Sequence, residues 1–338
     1  MNKTIETVKT EGKIIDFLKF KKIFFGISIS IFVIGIIFNI IFGTTLDIGF
    51  AGGTMLKYSY VGEINLDELE ATITDELQND NLSFANTEDT LNSTADKKAY
   101  TITVQFGGTE DVTLQDQLTK KLQEKYADNN FSVAESMSVE GIMGLRFLLK
   151  CLAAVGIAGA LMVLYVAFRF RRIGGISAGV TALIALVHDV GFIYVVYVVL
   201  QMPIDDNFIA VVLTIIGYSL NDTIIIYDRV REERKAFGPK ADIKDVFNYS
   251  CTKVIKRTVF TSVATLLAIG TVYVVSLIYH LDSVTAFAFP MMLGIICGCY
   301  STIFIAGPVW VLWKKHTEKS GKNKGKKSKI KSKVKVRV

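Results

Sequence analysis

Six runs of apolar residues, each long enough to cross a bilayer, leave this chain few folds to choose from. A helical crossing needs about 20 residues at about 1.5 Å per residue. Such runs lie near 22–43, 145–168, 175–200, 206–228, 258–280 and 286–312. In hydrocarbon each backbone N–H and C=O must be paired inside its own segment, so the runs must be helices. Hydrophobic residues make up 51% of the 338 and charged ones 21%, a balance of membrane proteins rather than soluble enzymes. The first run starts near Lys22, and no small-residue cleavage pattern follows it. It reads as a retained anchor rather than a signal peptide.

Charge orients the runs. Lys13, Lys19, Lys21 and Lys22 precede the first, and Arg169, Arg171 and Arg172 follow the second. Arg229, Arg231, Arg234, Lys235, Lys253, Lys256 and Arg257 lie between the fourth and fifth, and a lysine tail begins at Lys314. The opposite connections carry Asp205, Asp206 and Asp282. Basic loops stay in the cytoplasm, so both termini are expected there and the region after the first run is expected outside. The expected divisions are a cytoplasmic N-terminus over 1–21, a first helix over 22–43, an outer domain over 44–144, helices two to six over 145–312 with a cytoplasmic loop at 229–257, and a basic tail over 313–338. Residues 44–143 hold 18 acidic and 6 basic groups, whereas residues 314–338 hold 1 acidic and 12 basic. The tail is expected to be disordered and to lie on anionic lipid, at about 1 kcal/mol per nearby basic residue. No direct nucleic-acid partner is expected.

The acidic region has the alternation of an α/β unit. Residues 53–60, 99–106 and 131–139 suit strands. Residues 66–78 place Leu66, Leu69, Ile73 and Leu77 on one helical face, and 112–125 do the same with Leu114, Leu118 and Leu122. One more short strand fits within 81–98. The order suggests a ferredoxin-like β-α-β-β-α-β domain between helices one and two. It holds no catalytic cluster, so binding or mechanical work is expected of it.

Ionisable residues inside apolar runs are expensive, and they usually mark ion or substrate paths. Asp222, preceded by Asn221, interrupts the fourth run; His188 and Asp189 interrupt the third; Arg257 stands at the mouth of the fifth. Hydrocarbon disfavours the charge on Asp222, and a nearby arginine favours it. One proton can then decide between two arrangements of a bundle. The competing reading of Asp222 is a hydrogen-bonded structural carboxylate. His188 and Asp189 suit either a relay, since histidine titrates near neutrality, or bonding between helices. Ser219, Thr258, Thr261 and Ser262 can add polar helix contacts or hold water, each worth about 1 kcal/mol. Residues 236–256 mix apolar and polar groups and suit an interfacial helix.

Cys151, Cys297 and Cys299 lie in apolar runs and read as buried thiols. The Cys297–Gly298–Cys299 run lacks a second ligand pair, so no metal is expected. No phosphate loop follows Gly52 and Gly53, which suit a tight entry into the first strand. Nothing in the sequence calls for a cofactor or catalytic centre. Gly156, Gly159 and Ala160, with Gly294, Gly298 and Ala306, suit close helix approach.

Several runs together resemble a known family. Asp47–Thr54 (DIGFAGGT) follows the first crossing, and Gly217–Thr223 (GYSLNDT) continues through Tyr227 to Asp228–Glu232 (DRVRE). Arg257–Thr258 precedes Thr261–Ser262, and the last crossing holds Gly294, Gly298, Tyr300–Thr302 and Phe304–Pro308. From the first crossing to about residue 313 the chain resembles SecF, the smaller subunit of the bacterial SecDF complex in the resistance-nodulation-division superfamily. The resemblance implies six crossings in the cytoplasmic membrane and a SecD partner. It implies work beside the SecYEG channel, with YajC and a YidC-type insertase as further neighbours. Proton flow would help draw preproteins out after SecA has pushed them. It also implies that Asp222 is the intramembrane proton carrier and Arg257 its partner, with Asn221 in support. The rivals are a small-molecule exporter of the same superfamily, which usually has a second six-helix half, and a passive translocon scaffold, which has little reason to keep Asp222 in lipid.

Overall fold

The computed structural model describes residues 14–77, 82–89, 93, 98–107, 112–238 and 241–317. Lys13, the side chain of Leu114, part of 81–98 and the tail from 318 lie outside the described residues. A helical turn over Phe17–Phe20 leads into α1 (Lys21–Phe42), and a short α2 (Ile48–Ala51) follows. Next come β1 (Gly53–Val61), α3 (Leu66–Leu77), β2 (Leu82–Asp89), β3 (Ala99–Phe106), α4 (Val112–Lys125) and β4 (Ser132–Val139). The chain then returns to long helices: α5 (Gly141–Arg169), α6 (Gly175–Val199), α7 (Asp206–Phe237), α8 (Ile243–Ile278) and α9 (Asp282–Thr317).

The four strands form one antiparallel sheet in the order β2-β3-β1-β4. Alternation decides which face is covered. In β1, Leu56, Tyr58 and Tyr60 point inward, and in β3, Ile102, Val104 and Phe106 do so. Leu69, Ile73 and Leu77 of α3 and Leu118 and Leu122 of α4 cover that face. Leu66, expected on the same stripe, is 37% exposed because it begins the helix before the sheet is reached. Lys121 and Glu76 tie the two helices together.

Six helices are long and apolar enough to cross a membrane: α1 and α5 to α9. The chain is thus a polytopic helical membrane protein. Helices α6, α7 and α9 form the centre, while α1, α5 and α8 leave most of their apolar surface outward. Ile40, Phe168 and Phe260 are each 70% exposed or more, as a lipid-facing surface requires. Three helices run past the apolar stretches. Helix α7 continues to Phe237 because its arginines and glutamates favour helix, and Arg229 pairs with Glu232 and Glu233 at 3.0 and 2.6 Å.

The expected separate interfacial helix over 236–256 does not form. Asp242 caps α8 by accepting from the Lys244 N–H, and the helix then runs unbroken through Arg257 to Ile278. Ile243, Val246 and Phe247 on its first turns join the membrane core. Nothing in 243–257 breaks a helix, so the fifth crossing recruits them.

Helix α9 contains a π-helical segment at Thr302–Ala306. Pro308 stands two residues beyond it; it lacks an N–H, and the hydrogen-bond ladder shifts upstream of it. The wide turn faces the polar residues of α7.

Candidate functional site

Polar groups in the bundle gather on α7. Ser219, Asp222 and Thr223 stand at spacings of three and four, which put them on one face, and all three are buried. Thr223 and Thr302 meet at 3.3 Å, so the π-helical turn of α9 is pinned beside this face. Thr302 also donates to the Ser219 carbonyl at 3.4 Å. The close approach needs Gly298, whose missing Cβ would sit 3.3 Å from Ser219 Cβ.

Asp189 on α6 is fully satisfied. Its Oδ2 accepts from Ser219 Oγ at 2.6 Å and from Ser301 Oγ at 2.9 Å. Its Oδ1 faces His188 Nδ1 at 3.0 Å and Cys297 Sγ at 3.4 Å. His188 Nε2 meets Tyr300 Oη at 2.8 Å and Ser28 Oγ at 3.1 Å. This network joins α1, α6, α7 and α9. Such a network rigidifies when every member is bonded.

Asp222 has the opposite environment. It is fully buried, and neither carboxylate oxygen has a hydrogen-bond partner among the described residues. Arg257 acts on it electrostatically but makes no ion pair with it, and Arg257 itself is exposed on the flank of α8. Tyr218 and Cys299 also lie within reach of its charge. Thr258 is buried nearby on α8 with an unpartnered hydroxyl, and Ser262 accepts from Tyr218 Oη at 3.0 Å.

The residues singled out from the sequence therefore fall into two centres. His188, Asp189 and Ser219 form one, and Asp222 with Arg257, Thr258 and Ser262 marks the other. Ser219 serves Asp189, not Asp222. Asn221 is exposed on the outer side of α7 and does not orient Asp222 within this chain. Thr261 is exposed and bonds the Arg257 carbonyl of its own helix at 2.8 Å. Sequence reasoning missed Ser28, Tyr300, Ser301 and Cys297 as partners of the His188–Asp189 pair. Ser28 had a weak signal, as one of two serines in an otherwise largely apolar crossing; the others had none apart from the YST run.

The expectation that Cys297 lacks companions needs correction. His188, Asp189 and Cys297 place three metal-capable atoms within 4.8 Å of one another. Each already has a hydrogen-bond partner, so the trio is a filled polar network.

Comparison with known proteins settles the family. Residues 118–316 match the model for "Protein export membrane protein SecD/SecF, C-terminal". The SecF subunit of Calditerrivibrio nitroreducens is 32% identical over 93% of this chain and 98% of its own length. The chain belongs to the SecD/SecF family of protein-export membrane proteins. The SecF subunit of Alicyclobacillus acidocaldarius is 30% identical over 90% of the chain and 94% of its own length. The SecDF protein of Bacillus subtilis is 32% identical over 88% of the chain, which spans only 38% of that longer protein. The crystal structure of SecDF from Thermus thermophilus superposes with a TM-score of 0.72 at 24% identity, over 90% of this chain and 39% of that one. That likeness shows the shared fold.

Proposed function

We propose that this SecF-type chain works with a SecD-type partner as a proton-driven auxiliary subunit of protein translocase, with Asp222 as the proton carrier. Family membership makes it a transport component of the bacterial cytoplasmic membrane, not a catalytic enzyme. The proton role rests on one observation: a fully buried carboxylate with no hydrogen-bond partner among the described residues, at the centre of a membrane bundle. A structural carboxylate should look like Asp189, with each oxygen bonded. Asp222 instead keeps lone pairs free for a proton or an incoming group.

Arg257 supplies a positive charge that can close on Asp222 when it is ionised and withdraw when it is neutral. Thr258, buried beside Arg257 on α8, and Ser262, bonded to Tyr218, are the supporting hydroxyls. His188 and Asp189 are the second candidate for the relay, in a network that shares Ser219 of α7 but makes no hydrogen bond to Asp222. Asn221 faces outward and suits the contact with SecD. Positive-inside charge puts both termini in the cytoplasm. The sheet unit is then outside, and its strand order supports a ferredoxin-like assignment. SecYEG, YajC, a YidC-type insertase and the emerging preprotein are the wider partners of this reading, with anionic lipid under the tail.

The test is export of a slowly secreted reporter in cells carrying Asp222→Asn beside native SecD. Membrane levels of both subunits are followed in the same cells. Lost export with normal levels is the expected result. Normal export removes the proton role and leaves Asp222 architectural.

A further inference from the structure

The α5–α6 seam departs from what its glycines led one to expect. Gly156 and Gly159 do not bring helices together: nothing lies within 4 Å of the position their Cβ would take. They form the floor of an apolar groove of about 650 Å³, walled by Val155 and Leu164 of α5 and by Leu183 and Val187 of α6. The helices touch only toward the end of α5, where a side chain on Gly175 would overlap the Ala167 carbonyl. From that pinch they part. The groove's α5 wall, Val155 to Leu164, spans about 14 Å of helix, close to the about 15 Å of hydrocarbon in one leaflet.

The pinched end is strongly basic. Phe168, one turn beyond Leu164, lines a pocket of about 300 Å³ with Arg169, Arg171, Arg172, Arg231 and Lys235. Five cations meet one carboxylate: Asp228 pairs with Arg169 at 3.3 Å and with Arg231 at 2.8 Å. Arg172 and Lys235 are exposed and have no carboxylate partner among the described residues. Arg171 lies 5.3 Å from the Phe168 ring centre and also borders a neighbouring pocket of about 440 Å³ beside Trp313. Phe168 and Trp313 are 73% and 41% exposed, where aromatic rings mark the headgroup level.

Positive-inside loops explain basic residues but not a groove that ends in them. We infer that this seam binds one anionic phospholipid, its phosphate among Arg171, Arg172 and Lys235 and one acyl chain along the groove. Guanidinium forks suit phosphate oxygens, and the groove has the length and apolarity of a chain within one leaflet. The site is separate from Asp222 and does not depend on the proton reading.

Native mass spectrometry of the full chain purified with SecD, titrated with phosphatidylglycerol or phosphatidylcholine, tests it. One phosphatidylglycerol should stay bound under activation that strips the others, and phosphatidylcholine should not. Arg171→Gln with Arg172→Gln should weaken it about tenfold, the loss of about one charge-assisted hydrogen bond, while the two Arg→Lys changes, which keep the charge but not the fork, weaken it less. Gly156→Leu with Gly159→Leu should weaken it similarly by filling the groove; if that variant does not fold, the arginine variants decide alone. Equal retention of phosphatidylcholine, or undiminished phosphatidylglycerol in a folded groove-filled or Arg→Gln variant, overturns the proposal. So does phosphatidylglycerol bound by the chain alone but excluded when SecD is present, which would make the groove a helix interface.

Discussion

Replacing Asp222 and replacing Asp189 should affect stability differently. Asp189 accepts from Ser219, Ser301, His188 and Cys297. Asp189→Ala strands those donors, each at about 1–3 kcal/mol when buried. A lowered melting temperature and reduced membrane levels are the expected outcome. Asp222→Asn breaks no hydrogen bond and keeps the side chain's shape. Its melting temperature in detergent should stay level or rise while export fails. If Asp222→Asn melts like Asp189→Ala, the two carboxylates are both structural. From the sequence these residues look alike, each an aspartate in an apolar run. Only the partners separate them: Ser219 comes from α7, thirty residues on, and Cys297 and Ser301 from α9, more than a hundred residues away. That is why Asp222 and Asp189 were legible as unusual but their division into two centres was not.

At the scale of elements, small residues mark two different things. Gly175 is pressed against backbone, and backbone cannot give way as a side-chain end can. Gly175→Ala should push α5 from α6 and cost about 1–3 kcal/mol, read as a lower melting temperature. Gly156→Ala meets open space and should be neutral or stabilising by up to about 1 kcal/mol, since alanine favours helix. Equal losses at both positions would mean that the groove is closed in the membrane. The six crossings were legible because hydropathy over 20 residues leaves no other solution. The ends of α7 and α8 were less so, because charge marks where a helix leaves hydrocarbon and not where it stops. A second joint between elements can be read by pH. Asp16, before α1, accepts from Lys244 at 2.8 Å and Asn248 at 2.9 Å on α8. Burial raises its pKa, but those donors outweigh it and hold the carboxyl below its usual 3.8. A lowered pKa stabilises above the unfolded value and is lost as pH falls through the folded one. Hydrogen exchange over residues 14–20, after correction for its intrinsic pH dependence, should therefore be flat near neutrality and rise only below about pH 4. Asp16→Asn should raise it at pH 7, modestly, because the pair is partly exposed.

The whole molecule is two hydrophobic cores joined at one place. The sheet core and the bundle core share no residue. Between them, Gly53 of β1 pairs with Val139 of β4, so the chain enters and leaves the sheet side by side. Phe50 of α2 belongs to the bundle core and packs on Phe147 of α5 at 5.6 Å between ring centres. Gly52 holds a positive φ of 82°, and a Cβ there would overlap Gly141 at the start of α5. Gly144 lies so close to Phe50 that its own Cβ would come within 2.8 Å of that carbonyl. Both passages are thus clamped to the first turn of α5. A shift of α5 within the bundle must carry the sheet with it, because neither passage has slack to absorb it. On the proton-driven reading, this clamp is how a change at Asp222 becomes motion of the outer unit. Inserting Gly-Ser-Gly both between Gly52 and Gly53 and between Val139 and Glu140 adds slack to both passages without touching either core or the polar residues of α6, α7 and α9. Export of the slow reporter should fall while membrane levels and the melting temperature stay as they were. A clamped unit that only binds preprotein passively would tolerate the insertions, and export would then persist. Gly52→Ala strains the same joint in the other direction and should lower the melting temperature, since the left-handed backbone and the overlap with Gly141 both penalise a side chain there.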